Sequence, residues 1–394
     1  MKTKLLVIAA VFASFFALGM PDGAFGVAWP KIRYDMGVDL DMAYILVLLH
    51  SIFYSAVSSQ MGRMEKRLSL ASINAIGLCV IAVSMLGFSL APNMIGIGVM
   101  SAILGGAMSF VDAGVNAFAA KNLSAKHMNW LHCFWGFGAS FSPIIMSQMI
   151  LIAGWRAGYV SIALLQSVVA IFVLVSIFKG AWVMKNADGE PHESEGYKAS
   201  EHKHLKSRVY PFLQMLIFLI YAGTEYSITF WTPSVMIEGR GFDISTAGMY
   251  TAAYLGAITG GRVLAGFVTK WVSNKMLIRV GLLLAASGLV VMIFSGHIIG
   301  MALTGFGLAP VFPSLMHETP LRFEPKILTK LVGYQISAVG VGIAFTTFGM
   351  GRVLTRISLD SLFPVVLFGV AALFILNEII EFGMYRLKHG SGLC

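Results

Sequence analysis

The sequence predicts an all-α membrane protein of twelve transmembrane helices, arranged as two pseudo-symmetric six-helix bundles. Composition is the first reason. Of 394 residues, 57% are hydrophobic and only 12% charged, with a mean hydropathy of +0.79, whereas a soluble domain carries about 25% charged residues. The second is segment length. The apolar runs approach the roughly 20 residues a helix needs to cross a bilayer, about twice the length of a barrel strand. The third is an internal repeat with a nearly constant offset.

The spans fall at about 4–32, 42–61, 70–90, 94–119, 127–152 and 156–179, then about 209–236, 245–269, 275–296, 298–318, 328–350 and 361–386. The first begins after Lys2 and Lys4 and could pass for a signal peptide. It is too long for one, contains Asp22, and is followed by further spans, so it reads as a retained helix. A single long polar segment, 180–208, divides the chain into an N-terminal bundle (1–179), a linker and a C-terminal bundle (209–394).

Lys and Arg set the orientation. With the N-terminus in the cytoplasm, Lys2, Lys4, Arg63, Lys66, Arg67, Lys121, Lys126, the linker, Lys270, Lys275, Arg279, Arg322, Lys326, Lys330, Arg386 and Lys388 lie inside. Lys31, Arg33, Arg156, Arg240, Arg352 and Arg356 lie outside. That bias places both termini in the cytoplasm. It also accounts for the formal charge of +9 without a nucleic-acid partner.

The repeat joins the halves position by position. Asp22 and Glu225 are 203 apart, Trp29 and Trp231 202, and Pro30 and Pro233 203. Gly37-Val-Asp39 matches Gly241-Phe-Asp243 at 204, and His132 matches Gln335 at 203. The latter two each precede a Gly-x-Gly, at Gly136/Gly138 and Gly340/Gly342. Two parallel six-helix repeats are the architecture of a large class of secondary transporters, whose substrate sites lie between the halves near the bilayer midplane.

The whole chain resembles the major facilitator superfamily. PDGAFGVAWPKI, MSFVDAGVNAFAAKN, WLHCFWGFGASFSP and YAGTEYSITFW resemble, within it, the fucose permease-like branch of sugar–proton symporters. The chain departs from the superfamily at the loop after the second span. There Gly62-Arg-Met-Glu-Lys66-Arg67 carries Lys66 where an acid is usual, and Lys270 repeats the departure.

Three of the 19 acidic residues lie deep in spans: Asp22, Asp112 and Glu225. An intramembrane acid is expected to be functional, and one that gains and loses a proton can couple transport to a proton gradient. The alternative is a structural interhelical hydrogen bond. The resemblance implies coupling and substrate-linked roles for Asp22 and Asp112. Pro21 and Gly23, beside Asp22, are expected to let the helix bend or open.

For the substrate, Asn116 lies one turn after Asp112 on the same face and is a sugar ligand or an interhelical bond. His132 is a proton relay, a sugar contact or a packed neutral histidine, and Gln335, its repeat mate, is expected to face the cavity. His50 is a weaker candidate. Trp135 lies deep enough to stack on a pyranose, while Trp29 and Trp231 serve as such platforms or as interface anchors. Arg262 is expected near the cytoplasmic end of its span, leaving the cavity poor in cations and favouring a neutral sugar over an anion.

Glycine pairs mark close helix contacts. Cys79 and Cys133 read as inert packing, and His192, His202 and His204 as part of a solvated tether. No phosphate loop, metal-ligand spacing or nucleophile elbow is present, so an enzyme or ATP-driven pump is not expected, nor is a cofactor. The expected protein is a monomer in a bacterial inner membrane, importing a sugar or polyol with a proton, or with sodium. An efflux antiporter for hydrophobic compounds and a non-transporting sensor are the alternatives.

Overall fold

In a computed structural model, residues 2–123, 125–180, 182, 209–269 and 271–389 are described. The helices are α1 (Lys2–Met36), α2 (Ala43–Met64), α3 (Leu70–Leu90), α4 (Met94–Asn122), α5 (Ala125–Ala153) and α6 (Trp155–Phe178). They continue as α7 (Val209–Ser234), α8 (Ile244–Val268), α9 (Asn274–Phe294), α10 (Ile298–Leu308), α11 (Val311–Arg322), α12 (Pro325–Arg356) and α13 (Leu362–His389). Among the described residues, twelve segments are long and apolar enough to span a membrane; α10 and α11 together make the tenth. The break between them falls at Ala309-Pro310, where proline supplies no N–H to a helical hydrogen bond. Of the expected linker, only Gly180 and Trp182 fall among the described residues; the linker histidines and the final GSGLC fall outside them.

The repeat has a local physical basis. Gly37 and Gly241 end the first and seventh spans with φ of +64° and +70°, the left-handed region where glycine meets no Cβ penalty. Two residues on, Asp243 caps α8 by accepting the Thr246 N–H at 3.0 Å, and Asp39 holds the matching extended position before a 3₁₀ turn, Leu40–Met42. Ser69 and Ser273 then cap α3 and α9, each accepting the N–H three residues later. Gly-x-Asp is a stop-and-restart signal used once per half.

An even number of crossings places Lys2 and His389 on one face, here called the termini face. Within the N-terminal half α1 packs on α5 and α6, and α3 on α4 and α6; in the C-terminal half α7 packs on α12 and α13, and α9 on α10. α1 is continuous through Pro21 and Gly23. The glycine serves packing instead of opening the backbone, since a Cβ there would lie 2.0 Å from the Ala139 carbonyl oxygen of α5.

The halves meet through α5 with α8, α1 with α7, and α2 with α12. These contacts run from the middle of the bilayer to the far face. A Cβ on Gly136 would sit 2.0 Å from Thr259 Oγ1, Gln148 donates to Ser245 at 2.6 Å, and Tyr44 packs edge-on against Phe348 at 4.6 Å. At the far face Arg33 grips Glu238 and Arg352 pairs with Asp41 at 2.9 Å. The molecule is sealed there.

Candidate functional site

Below the seal the halves diverge around a cavity of about 1600 Å³. Its lining includes Ser58 and Ser59 at the end of α2, Trp130 near the start of α5, Thr269 after α8, and Asn274 and His317. All of these belong to the termini face, so the cavity opens there. Its closed end is aromatic. Phe25 of α1 lies 5.2 Å from Phe230 of α7, Tyr226 stacks on Phe230 at 5.9 Å, and a Cβ on Gly26 would come 2.8 Å from the Phe230 carbonyl oxygen.

Asp22 lines this cavity beside Trp135, whose indole Nε1 donates to Asp22 Oδ2 at 3.2 Å. The bond ties the middle of α1 to α5, and among the described residues Asp22 makes no ion pair. A carboxylate at this depth is stable where a donor or a water-accessible cavity reaches it; Trp135 is the donor, and the cavity opens beside it.

Asp112 sits one layer back in α4. Tyr54, a cavity-lining residue of α2, donates its hydroxyl to Asp112 Oδ2, and Asn116 donates Nδ2 to Oδ1 at 2.7 Å. Asp112 and Asn116 are therefore a bonded pair behind a tyrosine screen, and the Asn116 amide is committed to the carboxylate instead of to the cavity. His132 and His50 both line the cavity. His132 stands edge-on to Phe15 at 5.5 Å, and His50 lies 6.3 Å from Tyr54. Cys133 lines it as well, so its surroundings are not only packing.

Glu225 differs from the other two acids. Arg262 Nη2 donates to its Oε1 at 3.1 Å, with the two side chains 24% and 19% exposed. Arg262 lies toward the termini-face end of α8 and lines the cavity wall there. It lies one helical turn beyond Thr259, where α5 and α8 part, which turns its side chain inward. The expectation of a wall free of deep cations is thus corrected by one guanidinium.

Three expected contacts lie elsewhere. Trp29 is fully buried, and its Nε1 donates to the Leu40 carbonyl at 2.9 Å. Trp231 is also fully buried, with its ring 3.1 Å from where a Cβ on Gly351 would stand. Both pack the sealed end instead of presenting a face to substrate. Gln335 is buried and donates to Thr319 Oγ1 of α11 at 3.1 Å, away from the cavity.

It belongs to a second polar cluster near the termini face of the C-terminal half. Arg322, 1% exposed, donates to Gln214 at 2.9 Å and to Asn377 and Glu381 at 2.8 Å; Lys275 holds the other Glu381 oxygen. From the sequence, Arg322 falls on the inside, past the span at about 298–318. It terminates α11 and turns into the bundle, where burial of a guanidinium is tolerated because several acceptors meet it. Charge and position alone did not distinguish this buried residue from its solvated neighbours. Tyr54, Tyr226 and Phe312, also in the cavity wall, carried no sequence signal beyond being aromatic.

The chain is similar to curated proteins along most of its length. It is 25% identical over 382 residues to the glucose/mannose transporter GlcP of Bacillus subtilis (strain 168), covering 91% of this chain and 92% of that one. It is 20% identical over 367 residues to the fosmidomycin resistance protein of Escherichia coli (strain K12), covering 91% and 87%. The fold matches a crystal structure of a bacterial homolog of the human lysosomal transporter Spinster, in an inward-facing and occupied conformation. The TM-score is 0.69 at 12% identity, over 98% of this chain and 97% of that one. The Major Facilitator Superfamily matches residues 10–347, and with twelve apolar helices around one central cavity this chain belongs to that superfamily of membrane transporters, not to an enzyme family.

Proposed function

We propose that this protein is a proton-coupled symporter of a neutral hexose or polyol, working by alternating access. The observation that carries the reading is Asp22: a carboxylate in the cavity wall with an indole donor and, among the described residues, no cationic partner. Such a group is free to change protonation during the cycle, and substrate need only bind one protonation state better for the two to be coupled. Asp112 is the second proton-carrying group, reached through Tyr54. Trp135, His132 and His50 offer the stacking face and the ring nitrogens that suit a sugar. The similarity to a glucose/mannose transporter supports the substrate class.

The working unit is one chain, because a single chain supplies the whole cavity wall. It resides in a bacterial plasma membrane with both termini in the cytoplasm, as the Lys and Arg distribution favours, so the conformation described is open to the cytoplasm. Sodium is the alternative coupling ion.

The test is accumulation of labelled D-glucose, D-mannose, D-galactose and L-fucose in proteoliposomes, driven by an acid-outside pH gradient or by a sodium gradient. The pH gradient should drive accumulation of at least one hexose. Asp22→Asn should abolish that accumulation while leaving sugar exchange down its own gradient. Accumulation under neither gradient would overturn the reading. The similarity to a fosmidomycin resistance protein and the aromatic closed end support a second reading, proton-driven efflux of hydrophobic compounds. In that case an inward proton gradient expels a cationic dye and moves no hexose.

A further inference from the structure

Glu225 and Arg262 form the only acid–base pair in the cavity wall among the described residues. A coupling acid gains nothing from a permanent cationic partner, and a neutral sugar does not need a cation for charge balance. The pair therefore calls for its own explanation. It is joined at a single contact, Nη2 to Oε1, instead of the two parallel bonds a guanidinium can make with a carboxylate. Arg262 Nε is buried and makes no hydrogen bond, so the fork is not fully used by its protein partners. Both side chains keep an open side toward the cavity.

A guanidinium offers only donors and an ionised carboxylate only acceptors. Side by side they match a vicinal diol, in which each hydroxyl both donates and accepts. One hydroxyl accepts an Arg262 N–H; its neighbour donates its O–H to a Glu225 carboxylate oxygen. Placement agrees with this. Glu225 projects from α7 next to Tyr226, whose ring stacks on Phe230 to form part of the closed end. Arg262 projects from α8 just below the Gly136–Thr259 contact, on the seam with α5, which carries Trp135 and His132. Asp22 and Trp135 of one half and the ion pair of the other line the same cavity.

We infer that Glu225 and Arg262 are a substrate clamp for two adjacent hydroxyls, so that Glu225 binds sugar instead of carrying the coupling proton. This rests on the reading of the protein as a sugar transporter. The clamp also links occupancy to conformation, because a substrate bonded to both halves favours the state in which they approach.

The experiment measures binding and counterflow of the same four hexoses and their monodeoxy analogues to detergent-purified wild type, Arg262→Lys and Glu225→Gln. Thermal unfolding checks that each variant folds. In wild type, removing either of two adjacent hydroxyls should weaken binding at least tenfold. Each variant should weaken binding of the parent hexose by a similar factor, and removal of those same hydroxyls should cost the variants little more. Hexose binding that is unchanged in both folded variants would overturn the clamp and leave the sugar reading intact. Should a variant fail to fold, the wild-type deoxy series decides: no pair of adjacent hydroxyls whose removal matters also overturns it. A hexuronate that binds wild type better than any hexose and loses that preference in Arg262→Lys would overturn it too, making Arg262 an anion site. Binding of none of the four hexoses to wild type overturns clamp and sugar reading together.

Discussion

Removing both far-face cations, Arg33→Ala with Arg352→Ala, should open the sealed end of the molecule. Arg33 reaches from α1 to Glu238 in the turn after α7, with Nε at 3.0 Å from Oε1 and Nη2 on the other oxygen. The side chains are 27% and 21% exposed, and fork geometry with partial screening makes such a pair worth about 1 kcal/mol. Arg352 bonds Asp41 at 2.9 Å; Asp41 is 10% exposed but Arg352 is 45% exposed. Solvent screening of the guanidinium again limits the pair to about 1 kcal/mol. Both contacts exist only while the halves touch, so their joint loss moves the open–closed equilibrium by about 2 kcal/mol, or roughly thirtyfold at 1.4 kcal/mol per factor of ten. Spin labels at Tyr34→Cys and Ile357→Cys, 78% and 75% exposed near that face, report the separation in a background lacking the native cysteines. The double variant should gain a longer-distance population by that factor. A distance distribution unchanged from the parent would refute the idea that these pairs hold the closed end.

Other outcomes follow from burial and geometry. Arg322→Ala leaves Glu381 with Lys275 alone in a site where Arg322 was 1% exposed; breaking a buried pair costs about 3–5 kcal/mol, and the retained lysine places the loss near 3, readable by thermal unfolding in detergent. Gly138→Ala drives a Cβ to 1.9 Å from the Phe16 carbonyl oxygen, and overpacking of this kind costs about 1–3 kcal/mol in the same assay. At the start of α8, the Thr246 hydroxyl and N–H hold the Asp243 carboxyl below its usual range. The cap is therefore fully effective above the ordinary aspartate pKa and is lost as pH falls through the lowered folded value. Hydrogen-exchange protection factors at Ser245–Gly248, taken relative to the intrinsic rate at each pH, should fall on acidification in wild type and show no such dependence in Asp243→Asn.

The sequence made some of this legible and hid the rest for physical reasons. An acid inside an apolar run is costly, so Asp22 and Asp112 stood out, and the structure places one in the cavity wall and the other behind Tyr54. The stop-and-restart signal Gly-x-Asp and the 202–204 offset located the repeat, because both halves reuse the same caps. The repeat misled where the halves have diverged. His132 lines the cavity, but its mate Gln335 turns toward Thr319, since the C-terminal half has built a polar core around Arg322. The paired tryptophans Trp29 and Trp231 recur because each half must fill its sealed end. The inward turn of Arg262 and of Arg322 was hidden for one reason: near a span end, a basic residue in solvent and one turned inward have the same pattern. Only the rotation of α8 and α11 separates them.

The central claim is that sugar and proton cross together through Asp22. Lightly buffered proteoliposomes with no imposed gradient test it directly, with a pH dye recording the external medium as hexose is added. Wild type should alkalinise the medium as sugar enters, and Asp22→Asn should take up sugar with no pH change. Sugar entry through wild type without alkalinisation would contradict the account.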